Sequence, residues 1–253
     1  MPDQPYVRLT TPKPRIAEIT FYHPAHNSLP SDILAELAAT IKAAGEDPTI
    51  QVIILKSGGD RTFCAGASFN ELISINDFPT GKNFFLGFAN VINACRKCPK
   101  LIIGRVQGKA VGGGVGLASA VDYCLATKFA AVKLSELNVG IGPFVVGPAV
   151  ARKIGVSAMS QLAINADQFM PADWAKSKGL YADVFENVEV LDEAVMTLAE
   201  YLASTNPEAQ RMLKETFWEG CENWDELLEQ RAEKSGRLVL SAFTKEALAR
   251  FAP

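Results

Sequence analysis

The segment RVQGKAVGGGVGLASAVDYCLAT, Arg105–Thr127, is the most informative in the chain. An apolar run ends in Gly112-Gly113-Gly114, and an alanine- and leucine-rich segment follows at once. Glycine has no Cβ, so a ligand can approach the backbone closely there. Where a helix begins, its first N–H groups lack intrahelical acceptors and attract negative oxygen. Two oxygens qualify: a phosphate, or the oxyanion that develops when a carbonyl is enolised. The phosphate signatures are absent. No G-K-[ST] follows, and G-x-G-x-x-G begun at Gly112 meets Leu117 where glycine is needed. The competing reading is close packing of a helix on a strand.

The flanking sequence alternates. RIAEITFYH (Arg15–His23) and QVIILKS (Gln51–Ser57) are short, β-branched and bounded by polar or glycine-containing segments, and they read as strands. Between them Ile33, Leu34, Leu37, Ala38 and Ile41 recur at helical spacing, with Ser31 as the expected N-cap. A helix over Lys82–Lys97, the strand-like KLIIGRVQG, and short strands at DYCLAT and AVKLS follow. From Phe144 onward the pattern is almost wholly helical. The expected fold class is α/β, with a β-rich core over residues 1–190 and an α-helical region over 191–253.

The 253 residues, 48% of them apolar, can bury a sizeable core. A net charge of −3 with interspersed signs offers no basic stripe for nucleic acid. No run approaches the about 18 apolar residues of a membrane span, and the N-terminal segment lacks a signal-peptide core. A cytoplasmic protein without membrane or nucleic-acid partners is expected. The five scattered cysteines suit a reducing compartment; Cys95 and Cys98 form a lone C-x-x-C at the end of a helical pattern, and they read as packing residues. With histidine only at positions 23 and 26, no metal site is expected.

FCAGASFNEL, Phe63–Leu72, is a second small-residue turn before a helical segment, able to offer another backbone N–H. Two donors converging from different loops are what a thioester oxyanion needs.

Together HPAHNSL, TFCAGASFNEL, VQGKAVGGGVGLASAVDYCLAT, LSELNVGIGP and FTKEALARF resemble the crotonase, or enoyl-CoA hydratase/isomerase, superfamily over most of the chain. The resemblance implies a spiral of ββα turns with a C-terminal helical trimerisation region, assembled as a homotrimer or dimer of trimers. It implies an acyl-CoA thioester substrate, no cofactor beyond the coenzyme A of that substrate, and an oxyanion hole formed by the N–H groups of Ala67 and Gly113. A side chain at Gly113 would obstruct the carbonyl. Ala65, Phe69, Asn70 and Gly112 fall in the substrate channel. Ser68 either bonds a polar acyl group or caps a helix, and Lys245 and Phe251 fall where the C-terminal helix closes the pocket. His26 is either a CoA contact or a solvated loop residue.

The resemblance also isolates a difference. Two-glutamate hydratases carry one acid three residues after the central glycine and another twenty residues on; here those positions are Gly116 and Glu136. Hydration needs an activated water at Cβ and a proton at Cα, whereas moving a double bond from the 3,4 to the 2,3 position needs one base serving Cα and Cγ. Glu136 is the expected catalytic residue and enoyl-CoA isomerisation the favoured reaction, with Gly116 leaving a small space open to water or acyl group. Hydration remains open if another acid such as Glu71 enters the site, with branched or acidic substrates such as methylglutaconyl-CoA. So does a non-catalytic CoA-binding or RNA-associated scaffold.

Overall fold

The structure is a computed structural model that describes residues 4–250. Strands β1 (Tyr6–Lys13) and β2 (Ile16–Tyr22) form an antiparallel pair, and from β2 onward the chain winds in turns. Each turn gives one strand to a six-stranded sheet, then a short one to a small sheet, then a helix. The first turn is β2, β3 (Ser28–Leu29) and α1 (Ser31–Glu46). The second is β4 (Val52–Ser57), β5 (Thr62–Cys64) and β6 (Gly66–Ala67), followed by α2 (Phe69–Ser74) and α3 (Phe78–Lys97). The third is β7 (Leu101–Val106), β8 (Lys109–Val111) and α4 (Gly113–Ala120). The fourth is β9 (Tyr123–Thr127), β10 (Val132–Lys133), a 3-10 turn over Glu136–Val139 and α5 (Gly147–Ile164). After α6 (Ala172–Ser177), β11 (Asp183–Phe185) completes the large sheet in the order β1-β2-β4-β7-β9-β11, parallel except for β1. β3 pairs with β6, and β8 lies between β10 and β5. This is the ββα spiral that the resemblance implied.

The large sheet is covered on both faces, which is why β4 reads VIIL without alternation. Ile53 and Leu55 face the main core under α1 and α3. Val52 and Ile54 face the other side, where α7 (Val188–Ala203) lays down Leu191, Val195 and Ala199. The division at residue 190 therefore falls within a helix that covers the sheet. Helices α8 (Pro207–Phe217), α9 (Trp224–Leu238) and α10 (Ala242–Ala249) complete the helical end, with α9 packed against α3.

Three expectations change. β1 lies outside the expected strands because its residues are mostly exposed and its apolar alternation is confined to Val7 and Leu9. β11 interrupts the region read as almost wholly helical, supplying three residues to the sheet edge. Ser31 is the first residue of α1, after Pro30 at the cap; its N–H and hydroxyl both donate to the Glu71 carboxylate. All five cysteines are free and buried, as packing residues would be.

The helical end is tied to the core by a buried ion pair. Lys214 of α8 donates to Asp122 at 2.8 Å, both side chains 3% exposed, and to the Lys100 carbonyl. Asp122 also accepts from the Ile102 N–H and the Trp218 indole. Removing one partner of such a pair leaves an uncompensated charge. Lys214→Met should therefore lower unfolding free energy by about 3–5 kcal/mol in urea melts, whereas a loss under about 1 kcal/mol would show that the pair anchors nothing.

Candidate active site

A cavity of about 520 Å³ lies between the α2–α3 side of the spiral, the N-terminus of α4 and the segment from β10 to α5. Its wall is largely aromatic and aliphatic. Phe84 and Phe88, one turn apart on α3, face it with Phe85, whose ring meets that of Phe84 edge-on at 5.1 Å. Phe69 and Leu72 of α2 and Phe144, Val145 and Val146 before α5 continue the wall. Glu136 is the one carboxylate among the lining residues and Lys133 the one cation.

The glycines answer three separate constraints. Gly112 has φ +52° and ψ −114°, a region closed to other residues, and a Cβ there would lie 3.1 Å from Glu136 Oε1. A Cβ on Gly113 would lie 2.2 Å from Phe88 Cζ, and one on Gly114 2.4 Å from the Cys64 carbonyl oxygen. The expectation that bareness at Gly113 chiefly admits a carbonyl is thus corrected: the space of its missing side chain is filled by the Phe88 ring. The packing reading holds at Gly113 and Gly114, where protein atoms fill the place of a side chain.

The second turn meets the first. Gly66 has φ +93°, and its Cβ would lie 3.6 Å from Gly113 N. Ser68 N–H donates to the Leu29 carbonyl at 2.8 Å. N–H directions alternate along a strand, so the N–H of Ala67 faces away from β3. Ala67 and Gly113 both line the cavity, and the Gly113 N–H belongs to the first turn of α4, where no intrahelical acceptor exists. Asn27, which the sequence reading passed over, braces this region. It is 2% exposed with φ +56°, accepts from the His23 N–H, and donates to the carbonyls of Gly58 and Thr62.

Glu136 opens the 3-10 turn that Gly140, at φ +77°, closes. The Gly112 N–H donates to the Lys133 carbonyl at 2.8 Å, joining the glycine turn to the strand that leads to Glu136. The residue is half-buried, but its carboxylate tip is at depth: Oε2 is buried and has no hydrogen-bond partner. Burial raises its pKa from 4.5 to about 7, against a smaller lowering by its own backbone N–H. A carboxylate so placed exchanges protons readily near neutrality.

The other expected site residues separate. Ala65, Phe69 and Gly112 line the cavity. Ser68 caps α2, its hydroxyl accepting from the Glu71 N–H at 3.3 Å, and Asn70 is exposed away from the wall. Gly116 is buried behind the wall, because a Cβ there would lie 2.5 Å from Val146 Cγ1; the open space expected beside it is occupied. Lys245 is exposed on α10 and off the wall. That helix does reach the site, through the Thr244 hydroxyl on the Gly140 carbonyl and through Leu248 beside Phe84 and Ile141. Phe251 lies outside the described residues. His26 lies off this cavity, in a tight turn at φ +55°. The phenylalanines of α3 were legible only as KNFFLGFAN, an apolar helical pattern like any other.

Spiral and cavity together define the crotonase class. Residues 12–252 match the family model described as enoyl-CoA hydratase/isomerase, and the chain belongs to that family. A probable enoyl-CoA hydratase of Rhizobium meliloti is 32% identical over 79% of this chain and 77% of its own. A peroxisomal Delta(3,5)-Delta(2,4)-dienoyl-CoA isomerase of Arabidopsis thaliana is 30% identical over 73% and 70%. The crystal structure of an enoyl-CoA hydratase from Bacillus anthracis superposes with a TM-score of 0.79 over 90% of each chain, at 26% identity.

Proposed function

We propose that the protein shifts the double bond of an acyl-CoA thioester, with Glu136 as the single acid–base group. The observation that carries this is the solitary carboxylate: among the described residues Glu136 is the one acid that lines the cavity, and its Oε2 has no hydrogen-bond partner there. The thioester oxygen sits between the N–H groups of Ala67 and Gly113, which stabilise the charge that develops on it. Glu136 takes the proton from Cα of a 3-enoyl thioester, and the electron pair moves onto the thioester as an enolate. As the carbonyl reforms, the Cα–Cβ double bond forms, the Cβ–Cγ double bond is lost, and Glu136 returns the proton to Cγ. Net atoms are unchanged.

Hydration asks for a second proton-handling group. Glu71, the alternative acid, accepts from Ser31 on the protein surface. An acidic acyl group would place its charge against a wall of phenylalanines, with Lys133 as the only lining cation. Helices α8 to α10 are the face through which copies join in this reading, and coenzyme A enters and leaves as the thioester part of substrate and product.

The test incubates the protein with 2-enoyl- and 3-enoyl-CoA thioesters in D₂O and separates the products by chromatography and mass spectrometry. A moved double bond without gain of water is the expected result. Rapid gain of water with no moved double bond would overturn the reading, and binding without turnover would leave a scaffold.

A further inference from the structure

Glu136 accounts for the proton, but the class of reaction also depends on what stands opposite it. Gly116 is one turn into α4 from Gly113; residues three apart share a helix face, and it lies about 4.5 Å further along the axis. Val146, before α5 and 4% exposed, lines the cavity and packs onto that face. Its Cγ1 and Cβ would lie 2.5 and 2.9 Å from a Cβ on Gly116. Positions 116 and 146 therefore share one volume, which the isopropyl group enters most deeply, with Ile92 Cδ1 at 3.7 Å on its border. Neighbouring Val145 and Phe144 add no polar atom that could hold a water against the acyl chain.

We propose that Val146 is the specificity-determining residue that commits the site to double-bond shift, by filling against Gly116 the volume in which an attacking water or a second proton-handling group would stand. The inference rests on the isomerase reading and extends it from the base to the wall. Water addition forms an O–C bond at Cβ and delivers a proton to Cα; the isopropyl group of Val146 supplies neither the oxygen nor a base to orient it. With Val146 keeping water from the acyl chain, return of the proton from Glu136 to Cγ competes with its exchange into solvent.

Three variants test this: Val146→Ala, Gly116→Glu, and the double Gly116→Glu/Val146→Ala. In D₂O, Val146→Ala should raise several-fold the fraction of isomerised product that carries solvent deuterium; a fraction equal to that of the wild type overturns the proposal. Gly116→Glu should melt well below the wild type because its side chain starts inside Val146, and the double variant should recover most of that loss. A Gly116→Glu protein as stable as the wild type, or a double variant no more stable than the single one, would show that the volume is not shared. With 2-butenoyl-CoA the folded double variant should add water at least about tenfold faster than the wild type, having gained a second carboxylate. A folded double variant that adds no more water than the wild type contradicts the assignment. The wild-type product alone answers for the isomerase reading, and the change between variants answers for Val146.

Discussion

Glu136→Gln should retain the fold and CoA-thioester binding and lose turnover by about 10²- to 10⁴-fold, the range that general acid–base assistance supplies. The amide keeps the shape of the side chain and removes the base. Stability gives the same substitution a second readout with a definite sign. The native pKa is raised above the ordinary value, so the folded state holds the proton longer than the unfolded one does. Below pH 4.5 the acid is neutral in both states and costs nothing; between 4.5 and about 7 stability falls as pH rises, and above that the full cost persists. At about 1.4 kcal/mol per unit, that cost is about 3 kcal/mol. Glutamine does not titrate, so Glu136→Gln should be more stable than the wild type at pH 8 and about equal to it at pH 4. A variant with near-wild-type turnover would remove Glu136 from the chemistry. Equal stability differences at the two pH values would show that its carboxylate is not held in a dry site.

The second large effect concerns the oxyanion donors. Proline at 113 would delete one N–H but would also drive its ring into Phe88, so it reports packing and catalysis together. Ala67 is the cleaner position, because its N–H faces away from β3. Ala67→Pro should lower kcat by about 10²- to 10³-fold, the value of one such donor, with circular dichroism unchanged. Ala67→Gly, which keeps the N–H, should stay close to the wild-type rate. A folded and fully active proline variant would place the oxyanion elsewhere.

Local pattern carried much of this architecture. The alternation of β2, α1 and β4 and the glycine triplet need only their own segments to be recognised, and the resemblance then placed Glu136 at the site. What escaped were features made by contacts between distant segments. Phe88 fills the place of a missing Cβ 25 residues away, and Val146 closes a space beside Gly116 that inspection of α4 alone leaves open. Asn27 looks like a turn residue, yet its amide bridges Gly58 and Thr62 beneath the second turn. β1 is mostly exposed, with an apolar alternation confined to Val7 and Leu9; its pairing with β2 defines it. Ser31 has the chemistry of an N-cap but sits one residue inside, where Glu71 satisfies its N–H from another element.

If one carboxylate, buried at its tip, handles every proton, its ionisation governs the rate. The pH dependence of kcat/KM for a 3-enoyl-CoA thioester tests it most directly, since it reports the essential ionisations of the free enzyme. A single rise with its midpoint near 7, followed by a plateau, is expected, and Glu136→Gln should lose that rise. A midpoint near 4.5, or a bell with a second enzyme ionisation, would contradict it.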